Sequence, residues 1–248
     1  MPAVYADECW FKVGGVEYLI IGLLISPPAS SLESRLQRVR QDKRYMEEVH
    51  ASNLHGNKML AVALSWIDEF VRSDSPFRAI IVPKKEPEFT DFCGQDNWRM
   101  VSKAIHLCLT YCYPGDISGK AVKLLRPRIF LDECDDYRLN REHILCELVS
   151  QFERRDLFMG TELRRFPVPI LQLVNSKSMD SLQLCDVLVA SIHWELDPPT
   201  NQNKLDVLSY VKSKFGVSCM ANVARWDTEN QVNVWPFKDA KQSLGLSA

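Results

Sequence analysis

Acidic side chains end two strand-like segments of the chain. The first segment, YADEC, carries Asp7 and Glu8, and the second, RIFLDE, ends in Asp132 and Glu133. A third acid, Asp186, lies inside the apolar segment LQLCDVLVA, so we expect it to be buried or half-buried. Buried carboxylates that lie close together repel one another and lose hydration, so a cluster of them needs a cation. Asp7, Asp132 and Asp186 therefore predict a site for Mg²⁺ or Mn²⁺, ions that prefer oxygen ligands.

A polar segment, EEVHASNLHG, adds further ligand-type side chains between two predicted helices. It supplies Glu48, with Glu47 as an adjacent alternative, and His50. Two divalent ions about 4 Å apart clamp the attacking water and the leaving oxygen of a phosphodiester. His50, or His193 on the same predicted helix as Asp186, is suited to moving protons or orienting the phosphate, because imidazole titrates near neutral pH. The pattern predicts phosphodiester hydrolysis.

Alternation along the first strand separates its two acids. Successive side chains of a strand point to opposite faces, so Tyr5 and Asp7 share one face while Ala6 and Glu8 share the other. We therefore expect Asp7 and Glu8 to have different roles.

Strand and helix patterns alternate along the chain and must position these acids. The turn Val13-Gly14-Gly15 joins the first strand to YLIIGLLIS, which predicts an opening β-hairpin. Further strands are predicted at 77–83, 128–133 and 169–175, and helices at 32–48, 57–73, 97–113, 140–157, 182–196 and 204–215. This order predicts an α/β domain with a mixed sheet.

The net charge of −2 gives no global indication of a nucleic-acid partner. The first predicted helix nevertheless carries Arg35, Arg38 and Lys43, which form either a solvated face or a phosphate-contacting, substrate-binding surface. The longest apolar run, at 19–25, is too short to cross a bilayer. We expect a cytoplasmic protein with no membrane partner.

Eight cysteines are scattered along the chain without any C-x-x-C pair. Their mostly apolar surroundings predict reduced, buried thiols. A metal site built from Cys93, Cys108 and Cys112 is the alternative, although their spacing matches no known zinc pattern.

Four motifs, taken in order, resemble a known family. YADEC, EVHAS, FLDECDD and LQLCDVLVA resemble the signatures DESG, ELHAS, a strand-terminal Asp and LQLADLLAG of the domain-of-unknown-function family 3800. This bacterial and phage family is thought to have a ribonuclease H-like fold, and the resemblance runs from about Tyr5 to Trp194. The chain departs from the family pattern at Cys9-Trp10, which replaces Ser-Gly.

The resemblance implies a ribonuclease H-like mixed sheet flanked by helices on both faces. Residues 1–200 would form this domain, and residues 201–248 would add a C-terminal helix and a tryptophan-containing tail packed on it. The resemblance also implies that Asp7, Glu48, Asp132 and Asp186 form the acidic cluster with which ribonuclease H-like nucleases hold two metal ions. Nucleic acid is then the expected partner.

Other functions remain open on the sequence. A non-catalytic binding or regulatory module would use the same acids for capping or protein contacts, and its tail would contact a protein partner. An actin-like or sugar-kinase ATPase would need glycine-rich phosphate loops, which do not follow Asp7 or Asp132. Cys9 with His50 as its base forms a possible nucleophile pair, without a third group to orient it.

Overall fold

Six strands form one mixed sheet. The structure is a computed structural model that describes residues 2–84, 96–111, 127–158, 169–223 and 231–246. The strands are β1 (Ala3–Val13), β2 (Val16–Ser26), β3 (Phe77–Pro83), β4 (Arg128–Asp132), β5 (Ile170–Val174) and β6 (Val232–Pro236), in the order β5-β4-β1-β2-β3-β6. Strand β2 is antiparallel to β1 and β3, and the other neighbouring pairs are parallel. The predicted hairpin and mixed sheet are confirmed.

Helices flank this sheet. In the described residues they are α1 (Leu32–Lys43), α2 (Asn57–Val71), α3 (Asn97–Tyr111), α4 (Asp135–Phe158), α5 (Asp180–Leu196), α6 (Gln202–Phe215) and α7 (Lys238–Ser243), with short 3₁₀ turns at Ala51–Asn53 and Ser176–Ser178. Helix α5 packs on β1 and β2, and α3 packs on β2 and β3. Every residue of β3, and β2 from Tyr18 onward, is buried. Because successive strand residues face opposite sides, both faces of these central strands are covered.

Gly22 on β2 allows α5 to approach the sheet closely. A Cβ atom at this position would lie 2.3 Å from Cγ2 of Val189 on α5 and 2.9 Å from the ring of Phe77. In the β1–β2 register, Gly22 lies opposite Asp7. Val189 follows Asp186 by three residues, so the two lie on neighbouring positions of one helix face. The missing side chain thus lets α5 bring Asp186 towards the strand that carries Asp7.

Helix α1 ends earlier than its composition predicts. The predicted helix continues to about residue 48, whereas the observed helix ends at Lys43, and Arg44 adopts a left-handed conformation with φ of 49°. The amide of Tyr45 then donates a hydrogen bond to the Arg40 carbonyl. This turn releases residues 45–50 from the helix and directs them towards α5.

Other predicted boundaries differ by smaller amounts. Strand β3 has the predicted bounds, while α4 begins at Asp135 rather than residue 140 because Asp135 and Asp136 form an acidic first turn, which the positive end of the helix dipole favours. In the tail, β6 pairs with β3, and Trp235 stacks on Phe237 with ring centroids 4.8 Å apart. Trp226, which also belongs to the predicted tail, lies outside the described residues.

The described cysteines are free thiols. Cys9, Cys108, Cys134, Cys146, Cys185 and Cys219 form no disulfide with one another. Cys93 and Cys112, which the alternative metal site requires, lie outside the described residues. Over the described ranges, no helix combines the length and the apolar character needed to cross a membrane.

Candidate functional site

Asp132 ends β4 as expected, whereas Asp7 lies inside β1, which continues to Val13 instead of ending at its acids. Strands β1 and β4 are parallel neighbours that pair in register up to Ala6 and Leu131, so each aspartate occupies the next position beyond the last pair. Their carboxylates therefore lie side by side where this pairing ends.

An open cavity of about 200 Å³ lies at this edge. Its wall contains the four predicted acids and one more: Asp7, Glu8, Glu48, Asp132 and Asp186. Asp186 reaches it from α5, where its side chain is 22% exposed, and Glu48 reaches it from the segment after α1. The fold thus gathers five carboxyl groups from four separate segments of the chain.

The position of Glu8 differs from the prediction that its side chain points away from the face of Asp7. Both acids line the cavity, and the Tyr137 hydroxyl donates a 2.5 Å hydrogen bond to Glu8 Oε1. Strand β1 continues to Val13 but is paired with β4 only as far as Ala6, so at residues 7 and 8 the cavity lies beside the edge of β1 that β4 leaves uncovered, and both side chains line it.

Burial and repulsion between charges disfavour the ionised forms of Asp7 and Glu8. The pKa of Asp7 is raised well above its usual value by burial and then by the charges of Asp186, Glu8 and Asp132. Burial also raises the pKa of Glu8 to about 7, against the hydrogen bond from Tyr137. These two groups therefore take up protons more readily than free carboxylates do.

The ionised form of Asp186 has more stabilising neighbours than that of Asp7. Burial raises its pKa, whereas the nearby His50, the backbone amide of Ala51 and a side-chain hydrogen bond with Asp7 act in the opposite direction. The Ala51 amide donates to Asp186 Oδ2 at 2.8 Å. The short 3₁₀ turn after His50 thus supplies a fixed donor that holds this carboxylate in place.

Glu48, rather than Glu47, belongs to the cavity. Its Oε1 accepts a 2.9 Å hydrogen bond from the Ser176 hydroxyl, and Lys177 Nζ lies 3.7 Å from its Oε2. Glu47 is exposed, and its backbone carbonyl accepts a hydrogen bond from Arg40. The structure thereby distinguishes two neighbouring acids that the sequence left as alternatives.

Ser176 joins three parts of the cavity wall. Its amide donates to Asp132 Oδ1 at 3.0 Å, its hydroxyl donates to Glu48, and its carbonyl accepts from Gln183 Nε2 at 2.8 Å. Gln183 Oε1 in turn accepts from the Val49 amide at 2.7 Å. The sequence analysis missed Ser176, because no pattern shows which distant side chains its polar groups reach.

Arg40 is a buried support of the same wall. Its side chain forms a 2.5 Å ion pair with Asp180, donates to Gln183 Oε1 at 2.6 Å and lies over the Trp66 ring. The sequence did contain a signal for this role, because Leu32, Leu36 and Arg40 are four residues apart and share the buried stripe of α1. Arg40 fixes the segment that carries Glu48 against the start of α5.

His50 lines the cavity in a defined tautomer. Its Nδ1 accepts a hydrogen bond from the Ser52 amide at 3.2 Å and lies 2.8 Å from the Ser52 hydroxyl. A backbone N–H can only donate, so Nδ1 carries the lone pair and the neutral ring holds its proton on Nε2. Nδ1 also lies 3.5 Å from Asp186 Oδ2. The group that remains free to act is therefore a donor, Nε2–H.

His193, in contrast, lies outside the cavity wall. It follows Asp186 by seven residues, about 10 Å along α5. Its Nδ1 lies 3.5 Å from Cys9 Sγ and its Nε2 3.7 Å from Asp197, and its ring contacts Phe11. The structure does not bring His193 to the predicted acidic site.

The geometry also alters the Cys9 alternative. Cys9 contacts His193 and not the predicted His50. Burial, and then the charges of Asp7, Asp186 and Glu8, raise the pKa of the Cys9 thiol to about 12. Since the thiolate is the nucleophilic form, this environment disfavours nucleophilic chemistry at Cys9.

The predicted phosphate-contacting residues of α1 do not line the cavity. Arg35 lies 3.6 Å from Glu69 of α2, with which it forms an ion pair. Arg38 and Lys43 are exposed on the helix. The basic face of α1 is thus separate from the wall that contains the acids.

The carboxylate-rich wall of the cavity fits the donor chemistry of a divalent cation, because carboxylate oxygens are the ligands that Mg²⁺ and Mn²⁺ prefer. Within the described ranges, no three His, Cys, Asp or Glu side chains are arranged to hold a metal ion as they stand.

No protein-family model, no curated protein and no solved structure matches the chain. The residues of the cavity are therefore the basis for a functional proposal.

Proposed function

We propose that the protein is a divalent-metal-dependent nuclease. The observation that carries this proposal is that Asp7, Glu8, Glu48, Asp132 and Asp186 all line one open cavity, at the point where the pairing of the parallel strands β1 and β4 ends. Burial alone does not require so many acids in one place, and their mutual repulsion opposes folding. A site that recruits cations is the physical arrangement that compensates for this cost.

The proposed fold class is ribonuclease H-like, as the resemblance to family 3800 implies. It is supported by the opening antiparallel hairpin, by the two parallel strands that extend the sheet from β1, and by the acids at the strand ends. The late helix α5, which carries Asp186, packs against the hairpin as that proposal requires.

Each side chain has a role in this proposal. Asp7 and Asp132 would hold the metal ions between them, and Glu48 and Asp186 would complete the ligand set from either side. Bound Mg²⁺ or Mn²⁺ would supply an activated water and stabilise the charge that develops on the phosphate. His50 would donate its Nε2–H to a phosphate oxygen of the substrate, and Ser176 would orient Glu48 through its hydroxyl.

A cleavage assay with a matched pair of variants tests this function. Asp132→Asn removes a carboxylate from the cavity, whereas Glu133→Gln removes the adjacent carboxylate, which is 41% exposed and lies 3.8 Å from Arg138. Labelled RNA, single-stranded DNA and duplex DNA would be incubated with Mn²⁺ or with EDTA. We expect Mn²⁺-dependent cleavage that Asp132→Asn abolishes and Glu133→Gln retains. Cleavage that survives Asp132→Asn, or no cleavage of any substrate, would contradict the proposal.

A further inference from the structure

Lys177 places an ammonium group at the rim of the acidic cavity. Its Nζ lies 3.7 Å from Glu48 Oε2, and its side chain is 69% exposed. Its backbone is fixed, because the Lys177 amide donates to Asn175 Oδ1 at 3.0 Å and the preceding residue, Ser176, is bonded to Asp132 and Glu48. A mobile cationic side chain thus extends from a rigid support beside a proposed metal ligand.

The ammonium and a metal ion would compete for the same carboxylate. In the structure, Glu48 is compensated by the Ser176 hydroxyl on Oε1 and by Lys177 near Oε2. A divalent cation bound by Glu48 would repel the Lys177 ammonium, which would then lose Glu48 as its ion-pair partner. Since its side chain is mostly exposed, Lys177 can turn outwards without losing buried contacts.

A nucleic-acid substrate would supply a new partner for the Lys177 ammonium at the rim of the cavity. The backbone phosphates of a substrate held at the cavity must pass its rim, and a lysine ammonium is a common contact for phosphate oxygens. His50, which also lines the cavity, offers its Nε2–H as a second donor. The basic residues predicted for this task, Arg35, Arg38 and Lys43, lie on α1 away from the cavity wall.

We propose that Lys177 compensates Glu48 while the cavity is free of metal and contacts a backbone phosphate of the substrate once a divalent cation has replaced it. This inference rests on the proposed nuclease function. It assigns the substrate contact to the segment between β5 and α5 rather than to the basic face of α1. It would give a chain whose net charge is −2 a local cationic contact for a polyanionic substrate.

The proposal predicts opposite effects of one substitution on two ligands. Lys177→Met removes the competing ammonium, so Mn²⁺ should bind about two- to fivefold more tightly in calorimetry, as expected for an exposed pair. The same variant should bind a phosphorothioate oligonucleotide, which keeps the backbone charge and slows hydrolysis, more weakly in the presence of Mn²⁺. The slope of log K against log salt should fall in magnitude by about one.

Two further variants provide the controls. Lys43→Met makes the same change of charge on α1 and should alter neither affinity, while Lys177→Arg should retain both wild-type values. An unchanged Mn²⁺ affinity in Lys177→Met, or a loss of oligonucleotide binding in Lys43→Met instead, would overturn the inference. If the wild-type protein binds no Mn²⁺, the nuclease proposal falls as well. If it binds Mn²⁺ and cleaves while Lys177→Met is unaltered, only the role of Lys177 is wrong.

Discussion

Asp7 on β1 and Asp186 on α5 line the same cavity, where burial and then the charge of Asp186 raise the pKa of Asp7. Like charges repel one another strongly in such a buried setting, so the protonated form of Asp7 is favoured. The fold therefore brings together acids that repel one another, and a proton partly compensates them. A divalent cation would compensate them more completely, which makes the pair a sensitive site for testing the proposal.

Removing the charge of Asp7 should stabilise the metal-free protein. Because the pKa of Asp7 is raised by burial and by neighbouring acids, its ionised form opposes folding at high pH. We expect Asp7→Asn to raise the melting temperature by a few degrees at pH 8 in EDTA and to abolish Mn²⁺ binding. Calorimetry and thermal unfolding measure the two effects.

Asp180→Asn is the matched control, because Asp180 is also a buried aspartate but is paired with Arg40. Removing this partner leaves a buried guanidinium without its counter-charge, so the free energy of unfolding should fall by about 3 kcal/mol. If both variants shift stability in the same direction, repulsion at Asp7 is not the dominant effect.

Glu8 should make the metal-free protein less stable as the pH rises. Its pKa is about 7 in the folded protein against an ordinary value of 4.5, with Tyr137, Asp132 and Asp186 facing it. Between these values the folded state retains a proton that the unfolded state releases. The stabilisation from this group is therefore complete below about pH 4.5 and is lost as the pH rises through about 7.

Glu8→Gln isolates this effect, since its amide oxygen can still accept the hydrogen bond from Tyr137. Urea denaturation in EDTA at pH 5 and pH 8 should show a smaller decline in stability for the variant than for the wild type. Equal declines in both proteins would mean that Glu8 does not hold a proton near neutral pH.

Gly22→Ala should destabilise the protein by pushing α5 from the sheet. The added methyl group would meet Val189 and Phe77 at distances below van der Waals contact, and such overpacking costs about 1–3 kcal/mol. Because α5 carries Asp186, Mn²⁺ affinity should fall too.

Gly14→Ala, in the β1–β2 turn, has no atom within 4 Å of the new Cβ but a positive φ, so it should reduce stability without changing metal affinity. If Gly22→Ala left the Mn²⁺ affinity unchanged, the close packing of α5 on Gly22 would not be needed to position Asp186.

Ser176→Ala should weaken metal binding with little loss of stability. The hydroxyl orients Glu48, and removing a group that orients a metal ligand typically costs about 10–100-fold in affinity. Ser178→Ala removes a hydroxyl from the same turn that donates only to the Asn175 carbonyl. Calorimetric titration with Mn²⁺ should distinguish the two variants, and equal affinities would exclude a positioning role for Ser176.

The sequence predicted the elements whose patterns are local. The continuous apolar run of β3 and the acid at the end of β4 identified both strands, and the acid inside the apolar helix identified Asp186 as half-buried. The pairing of β1 with β4 is a long-range contact that no local pattern identifies.

The features that the sequence did not predict depend on distant contacts. Glu8 lines the cavity because the pairing of β1 with β4 stops at Ala6. The alternation of residues along a strand does not show where its pairing with a neighbouring strand stops. The left-handed residue that follows α1 is Arg44, and not the glycine that is usual at this position. His193 shares a helical stripe with Asp186, but two turns of helix carry it out of the site.

The most direct test of the account is a crystal soaked in Mn²⁺ and examined by anomalous diffraction. The account predicts a peak between the carboxylates of Asp7 and Asp132, with Asp186 and Glu48 turned towards the bound metal and Lys177 displaced from Glu48. A map with no peak in this cavity at saturating Mn²⁺, with Lys177 still beside Glu48, would contradict it.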